Sequence, residues 1–214
     1  RLTNDDLSNE AFPFMRSRRI TVAGVDVVAL RVSFTGDLGW ELHCKATDQV
    51  ELYSALLKAG AEVGAGPVGS RALMSLRVEK GYGSWSREYS PEYWPQEVKL
   101  DRLIKTDKNF LNRDAYLAVA EKPARDELIM LSVSAKDADA TGGEPIFLPD
   151  GTPIGQVSSG AYGYFVDQSL AMGYVKAGTA KAGDKVTVAI LGRPHDAVLL
   201  AHPPFDPDGR RLRS

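Results

Sequence analysis

The sequence predicts an α+β chain, and two observations carry that expectation. The first part alternates β-rich runs with amphipathic segments. After Pro123, short β runs are separated by Gly and Pro with no helical period between them. The boundary is placed at residues 122/123: a mixed region over 1–122, a small antiparallel barrel or sandwich over 123–207, and a tail at 208–214, read with Asp206 and Pro207 as an exposed extension because three of its last five residues are arginines.

Each element has a local reason. Ile20–Phe34 is rich in Val, Ile and Leu around Ala23-Gly24-Val25-Asp26, which reads as a hairpin. Trp40–Lys45 is a second short strand. Alternation there puts Trp40, Leu42 and Cys44 on one face and Glu41 and His43 on the other. Asp48 with Glu51 three residues on has the form of a capping box, and Val50, Tyr53, Leu56 and Leu57 repeat at helical spacing up to a C-cap at Gly60. A second helix is expected over Ser70–Lys80, stopped by Gly81. A third starts at Asn112, stapled by Leu111 and Tyr116, and ends by Pro123. Strands are expected at Leu128–Val133, Pro145–Leu148, Ile154–Ser158, Met172–Val175, Lys185–Ile190 and Ala197–Leu200. Trp40, Leu56, Leu73 and Leu76 are assigned to the core, and Arg77 and Glu79 to structural bonds at the helix end.

Composition narrows the function classes. Lys+Arg 26 against Asp+Glu 28 leaves a formal charge of -2. Such a balance lacks the basic excess of a nucleic-acid binder, so no nucleic-acid partner is expected. No apolar run is long enough to span a bilayer, so no membrane partner is expected either. Cys44 is the only cysteine, which excludes an internal disulfide and suits a reducing compartment: the cytoplasm, or the mitochondrial matrix in a eukaryote. The chain opens without Met and without an apolar signal core, so it is expected to be a piece of something longer.

Most familiar chemistries fail on spacing. His43, His195 and His202 are not at ligand spacing with Cys44 or with one another, so no metal is expected. No Gly-x-Ser-x-Gly elbow accompanies the Ser, His and Asp residues. Gly64-Ala-Gly-Pro-Val-Gly69 lacks the Lys and Ser/Thr of a phosphate loop. What remains is Ser33–Glu41, a Gly-rich turn with an aromatic at its entry and a carboxylate at its exit. Glu41 is either a solvated strand residue or an acceptor for the paired N–H groups of an amidine-like ring edge, on which a nearby aromatic can stack.

Phe34-Thr-Gly-Asp-Leu-Gly-Trp-Glu41 resembles the Tyr-Thr-Gly-Glu-x-Gly-aromatic-Glu signature of the glycine-cleavage T protein (aminomethyltransferase) family. Leu76-Arg-Val-Glu-Lys-Gly-Tyr82 is similar to its Leu-Arg-Leu-Glu motif in the form used by dimethylglycine and sarcosine dehydrogenases. Pro95-x-Glu97-x-x-Leu100, Asp107–Ala115, Gly155–Gly160 and the closing Phe205–Arg213 follow in family order. The resemblance implies the remainder of a folate-binding aminomethyltransferase-type α/β region followed by a small antiparallel β-barrel. It further implies tetrahydrofolate as cofactor, with FAD confined to an N-terminal domain outside this chain. The implied partners are a reduced folate and those N-terminal domains.

Carried over by position, the resemblance assigns Glu41 to the pterin edge, Phe34 to stacking in place of the usual Tyr, and Tyr82 to the folate pocket. Leu73 falls where T proteins place an Arg, with Arg71 as a possible substitute. Trp85, Arg87 and Glu88 follow the dehydrogenase branch's Trp-Gly-x-Asp segment loosely. Lys99 and Asn112 replace family glycines, so a different local backbone is expected there. The family's catalytic Asp belongs to a first half with no counterpart here. No catalytic residue is therefore assigned, and the fragment is expected to be inactive alone. The implied activity is one-carbon transfer to folate within a sarcosine- or dimethylglycine-dehydrogenase-like protein. A glycine-cleavage aminomethyltransferase and a non-catalytic regulatory relative stay open as alternatives.

Overall fold

The computed structural model describes residues 2–214. The chain forms two compact units: one comprises the chain up to Leu73 together with Asp206–Ser214, the other Met74–Phe205.

The first unit is built on a three-stranded antiparallel sheet of β1 (Ser17–Val22), β2 (Val25–Leu30) and β3 (Glu41–His43), in that order. Ala23 and Gly24, both at positive φ (52° and 85°), close the β1–β2 hairpin, as a two-residue turn of the favoured hand requires. The predicted alternation holds. Trp40, Leu42 and Cys44 pack against a core of Phe12, Ile20, Val22, Val25, Val27, Ala29 and Leu52, while Glu41 and His43 are exposed.

Helix α1 (Gln49–Ala61) follows, but not as its pattern suggests. Its buried position is Leu52; Val50, Tyr53, Leu56 and Leu57 are exposed. Asp48 makes no capping bond and its backbone is already helical, because a 3-10 turn over Ala46–Asp48 leads into the helix. The left-handed glycine after the helix is Gly64, not Gly60.

The tail is not an extension into solvent. Leu212 is 1% exposed. The buried Arg31 guanidinium donates to the Phe12 carbonyl at 2.8 Å and to the Ser214 carbonyl at 2.7 Å, and Arg211 pairs with Asp37 at 2.9 Å.

Helix α2 (Ser70–Glu79) runs through the point where the units divide. It ends in a Schellman motif, with the Gly81 N–H on the Val78 carbonyl and the Tyr82 N–H on the Arg77 carbonyl, both at 2.9 Å. Helix α3 (Arg113–Ala120) has Asn112 at its N-cap without a side-chain cap bond, and Leu111 is 89% exposed, so no hydrophobic staple forms. Lys99 and Asn112 sit at φ 61° and 64°, so at both positions the backbone keeps the left-handed conformation that glycine favours, contrary to expectation.

The rest of the second unit is a closed antiparallel barrel in the order β4-β7-β6-β5-β8-β9, formed by Asp126–Val133, Gln168–Lys176, Pro153–Gly163, Pro145–Phe147, Lys185–Ile190 and Arg193–Leu199. Its interior holds Ile129, Leu131, Val133, Ile146, Val157, Ala171, Val186 and Val188. On the opposite face of β4 and β7, Leu128, Met130, Leu170, Met172 and Tyr174 pack with Val78 and Val98. Burial on both faces explains why β4 reads as an unbroken apolar run instead of alternating.

Candidate functional site

The Phe34–Glu41 segment is a non-helical loop between β2 and β3 in the first unit. The Ser33 hydroxyl accepts from the Gly36 N–H at 2.9 Å, holding the first bend. A Cβ on Gly39 would fall 2.8 Å from the Val32 carbonyl oxygen, so this motif glycine is required by close backbone approach. Asp37 is tied to Arg211 and Trp40 turns inward, its ring edge-on to Phe12 at 4.6 Å. The loop so fixed leaves Phe34 38% exposed and delivers Glu41 to the outer face of β3, its side chain 59% exposed. Its Oε2 lies 3.2 Å from Nε2 of His43.

Arg71 lies in the first turn of α2, exposed, as is Leu73. Residues two apart on a helix are about 200° apart around its axis, so Arg71 presents its guanidinium on a different face from position 73. Leu56 and Leu73, expected in the core, are 36% and 38% exposed. Tyr82 belongs to the second unit, half-buried, with Lys80 Nζ 5.7 Å from its ring centroid. The aromatics assigned from the turn and from the helix end are thus distributed over both units.

The second unit holds a polar cluster that sequence reasoning missed. Arg77 and Glu88 form an ion pair at 3.0 Å with side chains 1% and 0% exposed. Arg77 also donates to the Ser159 hydroxyl at 2.6 Å, and Ser158 donates to the second Glu88 oxygen at 2.6 Å. Two consecutive strand residues normally point to opposite faces. Here β6 slips register between Val157 and Ser159, and this bulge lets both hydroxyls reach the same pair. Burial alone would raise the Glu88 carboxyl; the Ser158 and Ser159 hydroxyls, the Ser84 amide and the Arg77 charge hold it below its ordinary value instead. Beside this cluster a polar cavity of about 470 Å³ is lined by Arg87, Ser90, Gln156, Ser158, Tyr93 and Tyr174, among others. The consecutive serines of Gly155–Gly160 were the available signal, though nothing in their spacing announces a bulge.

Glu97 is another fully buried acid of this unit, at 0% exposure. It accepts from the Trp94 N–H, from the Arg125 N–H and from the Arg125 guanidinium at 2.7–2.9 Å. This bracing ties the Pro95-x-Glu97 motif to the start of β4.

The chain thus joins a mixed helix–strand region to a closed antiparallel barrel. Residues 1–108 match the family described as the GCVT N-terminal domain, and residues 127–206 match the glycine cleavage T-protein C-terminal barrel domain. The chain belongs to the glycine cleavage T-protein family. It is 34% identical over 205 residues to the mitochondrial dimethylglycine dehydrogenase of Homo sapiens, covering 95% of this chain and 24% of the relative. It is 35% identical over 217 residues to the mitochondrial sarcosine dehydrogenase of Mus musculus, covering 97% and 23%. The chain thus spans about a quarter of the length of these curated relatives. The crystal structure of glycine cleavage system aminomethyltransferase T from Bartonella henselae superimposes with a TM-score of 0.81 at 24% identity, covering 91% of this chain and 53% of that one, which establishes the shared fold. Among the described residues no helix is long and apolar enough to cross a membrane.

Proposed function

We propose that this chain is the tetrahydrofolate-binding, one-carbon-transfer module of a longer FAD-dependent N-methyl amine dehydrogenase of the sarcosine or dimethylglycine type. The observation that carries the reading is Glu41: a solvent-facing carboxylate on the outer face of β3, held in place by a loop whose glycine and aspartate are structurally committed. Its oxygens suit the donor edge of a pterin, which offers two parallel N–H groups, and among the described residues its hydrogen-bonding partner is His43. Phe34, 38% exposed in the same loop, has a ring face to offer, though not the hydroxyl of a Tyr. A bound reduced folate supplies the nitrogen that accepts the one-carbon unit; the role of this chain is to recognise and orient it. The match to two mitochondrial dehydrogenases over nearly the whole chain favours the dehydrogenase setting, and the word mitochondrial in both names supports a mitochondrial matrix or an equivalent compartment.

The test is Glu41→Gln in the intact protein. A charge-assisted hydrogen bond is worth about 1.5–3 kcal/mol, so tetrahydrofolate affinity should fall roughly tenfold to a hundredfold while amine-driven flavin reduction is unchanged. Unchanged folate affinity would overturn the assignment.

A further inference from the structure

Strand geometry gives Glu41 a close companion. Residues 41 and 43 lie on one face of β3, and the approach of His43 Nε2 to Glu41 Oε2 at 3.2 Å requires the two side chains to lean toward each other, since their Cα atoms stand roughly 7 Å apart. Both remain open to solvent, at 60% and 59% exposure. With the imidazole neutral, the nitrogen reaching the carboxylate is the N–H donor, which leaves Oε1 and the second lone pair of Oε2 for another pair of donors.

We propose that His43 is the positioning residue for the Glu41 carboxylate: neutral, it orients the acceptor pair toward a pterin-like donor edge, and protonated, it competes for that pair. The inference rests on Glu41 being the folate carboxylate. The competition is electrostatic. An imidazolium beside the carboxylate lowers its strength as an acceptor and adds a charge that a neutral pterin edge must displace. The other charged groups on this face are few. Lys45 continues the outer face beyond β3, Asp26 lies on β2, and Arg19 on β1 stands in the same row as His43 across Val28. Of the charged groups on this face, Glu41 is the one in contact with the imidazole. None of these groups occupies the inner face, where Leu42, Trp40 and Cys44 meet the core. Imidazole as a chemical group changes charge between about pH 5 and pH 8, which sets the two pH values of the test.

The experiment is a tetrahydrofolate titration of the intact protein, kept anaerobic, at about pH 8 and about pH 5.5, on either side of the imidazole range. The wild type should bind about threefold to fivefold more weakly at the lower pH, the span an exposed ion pair supports. His43→Gln keeps an N–H donor near the same place without a titratable charge. It should match the wild type at the higher pH and lose most of the pH dependence. His43→Leu should bind weakly and flatly at both. Melting temperatures close to wild type are expected, since the side chain is exposed. A wild type without saturable binding at either pH overturns the folate reading itself. Binding that Glu41→Gln weakens, but whose pH profile is the same in His43→Gln as in wild type, overturns the role of His43 alone.

Discussion

Arg77, at the end of α2, and Glu88, seven residues beyond its Schellman glycine, are joined at 3.0 Å with almost no solvent on either side chain. The helix end is thereby fastened to the barrel strand β6 through Ser159 and Ser158. Breaking such a pair strands a buried charge, which costs about 3–5 kcal/mol. Arg77→Met should lower unfolding stability by that amount in urea denaturation, and Arg77→Met with Glu88→Gln should recover part of it. A single-variant loss below about 1 kcal/mol would show that the pair is solvated in solution.

Glu97 sets an acid limit on the second unit. Its carboxyl is held down at about 2 first by the Arg125 guanidinium, with the Trp94 and Arg125 amides adding, against burial that raises it. A pKa lower in the folded than in the unfolded state stabilises above the ordinary value near 4.5 and loses that contribution as pH falls from there toward 2. With Arg125 47% exposed, the contribution is about 2 kcal/mol after screening. Glu97→Gln should be less stable than wild type at neutral pH and show a smaller fall between about pH 5 and about pH 2.5. Parallel stability–pH curves would contradict this account.

The closing segment is part of the first unit's fold. Leu212 is buried, and Arg31 spends two of its donors on the Phe12 and Ser214 carbonyls. Leu212→Ala should cost about 2–5 kcal/mol, measured as a lowered denaturation midpoint of the unit. An unchanged midpoint would return the segment to the status of a loose tail.

The sequence makes the barrel legible because Gly and Pro punctuate it: Lys185–Ile190 matches to the residue, whereas β6 and β7 run to 11 and 9 residues, well beyond the expected Ile154–Ser158 and Met172–Val175. It also made β3 legible, because a half-buried strand alternates and Trp40, Leu42 and Cys44 do so. Helix α1 was misread because two faces of it carry apolar residues. Only the tertiary packing of Leu52 decides which one turns inward. The tail was misread because its arginines suggest solvent, whereas Arg211 is spent on Asp37 and Leu212 is what packs. Gly155 shows the reverse case. A Cβ there would come within 1.9 Å of the Tyr174 carbonyl oxygen, so a motif residue with no chemistry of its own is fixed by the spacing of β6 and β7. Glu41 was found by pattern and family likeness, but its contact with His43 follows only from the way the two side chains lean, which alternation alone does not specify.

Closure of the six strands into a ring has a consequence for self-association. A ring has no first or last member, so its backbone donors and acceptors are already engaged on both flanks and an intruding chain would have to pry neighbours apart to join. The β1-β2-β3 sheet is different, because its outer members each pair with a single strand, although on the outer flank of β1 the Thr21 N–H is taken by the Asp5 carboxylate at 3.3 Å. Among the described strands, templated growth into fibrils or swapping of strands between molecules therefore has its freer entry at β3, since residues 2–5 already bond along part of β1. The charged residues Arg19 and Glu41 stand on those two strands as the deterrent.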